Sequence, residues 1–314
     1  MKWFTPYQTE LAGIYAEAGQ RISLFPSPLN DLGIRYLDRF NPLLEDSINN
    51  YICYLLPLWM QDASSSDSIP PDTYRQLSIG NVFLMLHYFI LDDLMDTRPE
   101  AWREQIGLGT MMYDECLAIY RARFPDNPLV WEYLREYTRD WAEAIVRETQ
   151  ADPFMSEPFN VACKAAPIKI ASTSVLLLRG QREEIASFSS YVDAVLLALQ
   201  MADDWSDWEE DLVHNSYNCL LSFIRHEYGM AHQEQLTRQQ VEEAIYTTCI
   251  LNRYVERGRD LIRTVPVPLT FAPHLADFGE AIFQGLQQDA DLILEERQRL
   301  LRAGGLQYFI EKNV

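Results

Sequence analysis

Apolar residues recur three and four positions apart through long windows of this chain, and Pro or Gly clusters separate the windows. The pattern predicts helices over 8–23, 46–61, 74–96, 101–123, 127–149, 158–179, 182–213, 217–230, 237–263 and 275–302. Breakers fall at Pro70-Pro71, Pro99, 125–128, 153–158, Gly180 and 266–273. No stretch alternates apolar and polar residues between hairpin turns, so no strands are expected. The spacers are too short to be domain linkers, which gives a single all-α domain over residues 1–314. Windows 79–94 and 191–201 are apolar nearly all round, as helices surrounded by other helices are. The stretch 63–72, ASSSDSIPPD, reads as a loop.

Composition narrows the class. Of 314 residues, 48% are hydrophobic and 12% aromatic, enough for a large core and against disorder. With 26 basic against 46 acidic side chains the net charge is −20. That argues against nucleic acid and anionic membrane surfaces, both of which reward basic patches. Five scattered cysteines without a CxxC spacing suggest neither a zinc knuckle nor a disulfide framework. The N-terminal MKWFTPYQTE lacks an apolar signal core, and no run reaches the ~18 apolar residues of a membrane span. The expectation is a soluble cytoplasmic protein with no membrane span.

Chemistry concentrates at the ends of two apolar helices. The first reads His87-Tyr-Phe-Ile-Leu-Asp92-Asp93-Leu-Met-Asp96, and the second Gln200-Met-Ala-Asp203-Asp204-Trp-Ser-Asp207-Trp-Glu-Glu-Asp211. Both contain D-D-x-x-D. Helical positions i and i+4 share a face, so Asp92 and Asp96 point together, and Asp203, Asp207 and Asp211 stack over about two turns. Stacked like charges repel, and a hard divalent cation removes that penalty. All-oxygen ligands suit Mg²⁺, which keeps several waters and bridges carboxylates to a substrate phosphate. One such motif is weak evidence, whereas two, each closing an apolar helix, point to a shared metal site. Di-iron, calcium-loop and H-E-x-x-H patterns are absent, and His87 reads as a core histidine.

Two such segments on an all-helical chain of this length resemble the trans-isoprenoid synthase superfamily of prenyl diphosphate synthases and class I terpene cyclases. The resemblance spans roughly residues 46–300 through motif order and spacing. It implies the class I terpenoid synthase fold, a helical bundle around a deep apolar cavity. Three Mg²⁺ ions would hold a substrate diphosphate between the two motifs. Asp92, Asp93 and Asp96 then look like ligands on one side, and Asp203, Asp207 and Asp211 on the other. Lys164, 39 residues ahead of Asp203, matches the diphosphate-binding lysine of the prenyl synthases, and Lys169 is a weaker match. Gln200 falls within their F-Q-x-x-D-D-x-x-D pattern. Arg98 and Arg179 look like further diphosphate contacts. Pro167 and Gly180 suggest helix breaks that free backbone groups. Phe83, Tyr88, Phe89 and Trp205 are candidate cavity walls, with Trp208 beside them. Segment 63–72 or 213–218 is a candidate lid.

Departures from the pattern choose the subfamily. Residues 40–74, where chain-elongating synthases carry a basic second diphosphate site, hold no Lys or Arg. No Arg-Arg pair follows Asp96. With one diphosphate site, the implied activity is a terpene cyclase that ionises and cyclises farnesyl (C15) or geranylgeranyl (C20) diphosphate. The alternatives are a prenyl diphosphate synthase and a non-catalytic partner subunit. The resemblance leaves a homodimer open.

Overall fold

A computed structural model describes residues 1–45, 47–48, 50–63, 69–96, 100–147, 152–267 and 270–302, with Asp96 placed in its backbone only. Among these residues the chain is all-helical: 80% lies in helices and no strand occurs. Arg98 and residues 64–68 of the 63–72 loop lie outside the described residues.

The α-helices are α1 Gln8–Ile22, α2 Leu29–Arg39, α3 Tyr51–Asp62, α4 Pro71–Asp96, α5 Trp102–Arg123, α6 Pro128–Arg147, α7 Pro153–Ser156, α8 Ile170–Leu178, α9 Ile185–Ser206, α10 Trp208–His214, α11 Cys219–Glu227, α12 Arg238–Thr247, α13 Ile250–Arg263 and α14 Pro273–Arg302. Most expected helices appear within a few residues of their anticipated ends. Three of them divide. The expected 158–179 helix is a 3-10 helix, Pro158–Lys169, that passes into α8. Pro167 inside it has no N–H to give to an α-helical ladder. The 182–213 helix breaks at Asp207, and the 237–263 helix breaks at Cys249, whose φ of 58° is left-handed.

Helix α2 was not expected. Pro26 and Pro28 come just before it, where Pro is tolerated. It lies close against α1, because a Cβ on Gly33 would stand 2.6 Å from Ile22 Cγ2 and 3.1 Å from Leu108 Cδ1.

The chain forms two compact units. The first comprises Met1–Arg139, Ala166–Ser189 and Pro268–Asp277. At its centre is α4, packed against α1, α3, α5 and α8 and burying Leu77, Val82, Phe83, Leu84 and Leu86. Asn81, fully buried on α4, donates through Nδ2 to the carbonyl of Ile168 (3.0 Å), next to Pro167. Gly180 (φ 68°) follows α8 in the left-handed conformation that ends helices. The second unit comprises Asp140–Ala165, Ser190–Val267 and Phe278–Val314. Its core joins Leu197 and Met201 of α9 to Leu220, Leu221 and Ile224 of α11, Val241 of α12, Tyr254 of α13 and Phe283 of α14.

The expectation that no segment could span a membrane is corrected. Pro71–Met95, Pro158–Leu178 and Arg182–Ser206 are long and apolar enough to cross one, with mean hydropathies of 1.3, 1.5 and 1.4. Counting unbroken apolar runs missed them, because scattered Ser, Asn, Gln and Tyr interrupt the runs without lowering the window mean enough. Within the protein, 67%, 72% and 56% of these windows are buried.

The α1–α2 contact gives a direct test. Gly33→Ala should destabilise the protein by about 1–3 kcal/mol through overpacking against Ile22. A urea unfolding curve followed by circular dichroism reads the effect.

Candidate metal and diphosphate site

The second acidic motif is built in the second unit, where α9 ends and α10 begins. The helix breaks at Asp207, and an i→i−4 backbone bond is kept on each side of that residue. Asp207 N–H donates to Asp203 C=O (3.0 Å), and Asp211 N–H to Asp207 C=O (2.9 Å). Asp203 and Asp207 are exposed and Asp211 is half-buried. Burial is the largest influence raising the pKa of Asp211. Repulsion from Asp207 and Glu210 adds to it, and the Asn218 hydrogen bond and the Lys164 charge oppose it. Asp207 is raised by burial and by Glu210.

Lys164 therefore lies within electrostatic reach of Asp211, in the same unit, and also acts on Cys219. It lines a cavity of about 370 Å³ together with Arg147, Asp140, Glu143 and Tyr217. Tyr217 donates its hydroxyl to Asp152 (3.0 Å) and accepts the N–H of Phe154 (2.9 Å). Asn218 is fully buried. The 213–218 segment, one of the candidate lids, is thus fastened at its C-terminal end.

The sequence reading missed Asp204. This carboxylate is almost fully buried, accepting Cys219 N–H (2.6 Å) and the Gln200 side-chain amide (2.7 Å). Burial pushes its pKa up to about 7, against those hydrogen bonds. Helical phase carried the signal. Leu197, Met201, Asp204 and Trp208 fall on one face, and the other three are buried core. Gln200, expected on a diphosphate, instead faces Asp204. Asn218 was missed too, for it lies outside the motif in sequence.

The first motif ends α4 in the first unit. Asp92 is exposed and Asp93 half-buried. Asp93 accepts the Tyr36 hydroxyl (2.8 Å) and pairs with Arg39 (3.2 Å), both from α2. The Arg39 guanidinium also lies 5.2 Å from the Phe40 ring centroid, and Phe40 packs on Phe89 at 4.8 Å. Burial raises the Tyr36 phenol far above its usual range, and Asp93 adds to the shift. Asp93 thus already has a cationic partner within the chain.

The other expected residues divide between structural and open positions. Arg179 donates to the Met60 carbonyl (2.6 Å) and the Tyr74 hydroxyl (3.1 Å), fastening the end of α8. Lys169 is buried with its ammonium 4.9 Å from the Tyr137 ring centroid. Phe83 is fully buried core. Tyr88 faces Thr138 Oγ1 at 3.4 Å, and burial pushes its phenol up to about 12. Thr138 lines a cavity of about 750 Å³ walled by Tyr113, Leu117, Phe124, Trp131 and Leu134, so Tyr88 reaches its edge. Trp205 donates its indole N–H to Asp289 of α14 (2.9 Å). His87 bonds the Gly109 carbonyl through Nδ1 (2.8 Å) and stacks on Tyr113, as a core histidine does.

Among the described residues no three His, Cys, Asp or Glu side chains form a ready-made ligand cluster. The donor chemistry still suits Mg²⁺. One or two carboxylates suffice when water and phosphate oxygens complete the octahedron. The upward pull of Asp207 on Asp211 is one that a cation would relieve. No protein-family model matches the chain, and no curated protein gives a significant match.

Asp204 yields two expectations. Asp204→Ala orphans the buried Cys219 N–H and should cost about 1–3 kcal/mol in urea unfolding. Its folded-state pKa lies above the ordinary 3.8, so the folded state holds the proton more tightly. Metal-free stability should therefore fall as pH rises from about 4 to about 7. Asp204→Asn should flatten that decline in unfolding midpoints measured in chelator.

Proposed function

We propose that this protein is a Mg²⁺-dependent class I terpene cyclase with the class I terpenoid synthase fold, converting one linear C15 or C20 prenyl diphosphate into a cyclic product and diphosphate. The observation that carries the reading is the approach of Lys164 to Asp211. A lysine singled out by its spacing lies within electrostatic reach of the last carboxylate of the second motif. A chain of net charge −20 otherwise repels a diphosphate, and a local cation beside metal-binding carboxylates reverses that sign. The ending of both apolar helices α4 and α9 in aspartates supports it further.

Bound Mg²⁺ supplies Lewis-acid stabilisation of the departing diphosphate. Asp92 and Asp96 bind at the first motif, and Asp203, Asp207 and Asp211 at the second. Lys164 donates hydrogen bonds to phosphate oxygens as a compact point charge. Asp204 holds the end of α9 in place. Apolar side chains near the motifs exclude water, which would quench an allylic carbocation to an alcohol. Aromatic faces such as Tyr88 stabilise the cation by cation–π attraction.

The test is incubation of purified protein with C10, C15 and C20 prenyl diphosphates and Mg²⁺, with and without isopentenyl diphosphate, read by gas chromatography–mass spectrometry. A cyclic hydrocarbon or alcohol without isopentenyl diphosphate is expected. A lengthened diphosphate formed only when it is added contradicts cyclisation. Asp92→Ala and Asp207→Ala should each lower turnover by about 100-fold or more while leaving the helical circular-dichroism signal intact.

A further inference from the structure

The side chain of Asn218 uses every polar atom it has, and it uses them on three different helices. One Nδ2 hydrogen goes to the Asp204 carbonyl at the end of α9 (2.7 Å). The other goes to Asp211 Oδ2 on α10 (2.8 Å). Its Oδ1 accepts Leu221 N–H and caps α11 (3.0 Å). The amide orientation follows from the partners. Flipped, Oδ1 would face a carbonyl and a carboxylate, and Nδ2 would face an N–H donor. The side chain is 0% exposed.

Helix α10 has only seven residues and follows the bend at Asp207, so a long helix does not dictate where Asp211 points. Asn218 does. We propose that Asn218 is a positioning residue that holds Asp211 by Oδ2 and leaves Oδ1 aimed to complete the Mg²⁺–diphosphate site. The inference rests on the proposed function and adds to it a residue outside the acidic motif. The amide fixes the rotamer of Asp211 without neutralising it, because a neutral donor leaves the carboxylate its charge. A lysine or arginine in that place would compete with the metal. The tie to the Asp204 carbonyl makes the placement of Asp211 follow the end of α9, and the cap makes it follow the start of α11.

Inorganic pyrophosphate is the probe, titrated calorimetrically into the full chain at a series of Mg²⁺ concentrations. Asn218→Asp keeps the size and the α11 cap but presents an acceptor to Asp211. Asn218→Ser keeps a cap and loses the reach to Asp211. Both should raise the Mg²⁺ concentration for half-maximal pyrophosphate binding by about tenfold or more, a change of about 1.4 kcal/mol. Melting temperatures in chelator check that each variant is folded, and Ser serves if Asp fails to fold. A purely structural role for Asn218 would lower the melting temperature and leave the Mg²⁺ dependence of the folded protein unmoved. A folded variant with wild-type Mg²⁺ dependence, beside a wild type that binds, overturns the positioning role alone. A wild type that binds no Mg²⁺–pyrophosphate overturns the parent reading with it.

Discussion

A carboxylate kept from water at the end of an apolar helix must be held by hydrogen bonds, and Asp204 is the group on which the second acidic motif depends. It is set on the buried face of α9 by the same helical phase that buries Leu197 and Met201. Cys219 N–H and Gln200 then satisfy its oxygens. Its backbone carbonyl, left over where α9 ends, accepts from Asn218, which reaches on to Asp211. The burial of one aspartate thus fixes the helix end, and the helix end directs its neighbours Asp203 and Asp207 toward solvent. Removing Asp204 would loosen the fastening on which the exposed carboxylates rely, although it is not itself placed to bind a cation.

The two acidic motifs share a sequence pattern and differ in their electrostatics. Asp93 is met by a guanidinium and a phenol from α2, so part of the charge at the first motif is balanced within the protein. Asp211 is met by a neutral amide, with Lys164 acting from nearby. The first arrangement gives Asp93 a partner within the chain, which disfavours a cation at that carboxylate. In the second, Asp207 repels Asp211, the condition that a divalent cation relieves.

Much of this was legible in the sequence. The 3.6-residue apolar period announced an all-helical chain, and the D-D-x-x-D spacing marked both helix ends. What escaped has physical reasons. Helix α2 is short and lies between prolines, and it is held by packing of Gly33 against α1, a tertiary effect. The breaks at Asp207 and Cys249 occur inside continuous helical patterns, where periodicity carries no mark of a local bend. Arg179 reads as an anion contact by its type and place, but its carbonyl and phenol partners come from remote positions, 60 and 74. Asn218 is visible only once folding brings residues 204, 211 and 218 together.

The account stands on one claim, that Asp207, Asp211 and Lys164 form the diphosphate end of a metal site. A crystal grown with Mn²⁺ and pyrophosphate tests it most directly, because manganese reports its position by anomalous scattering. The account predicts an anomalous peak bound by Asp207 and Asp211, with a phosphate oxygen within hydrogen-bond distance of Lys164 Nζ. Manganese bound elsewhere, or pyrophosphate ordered away from Lys164, would contradict it.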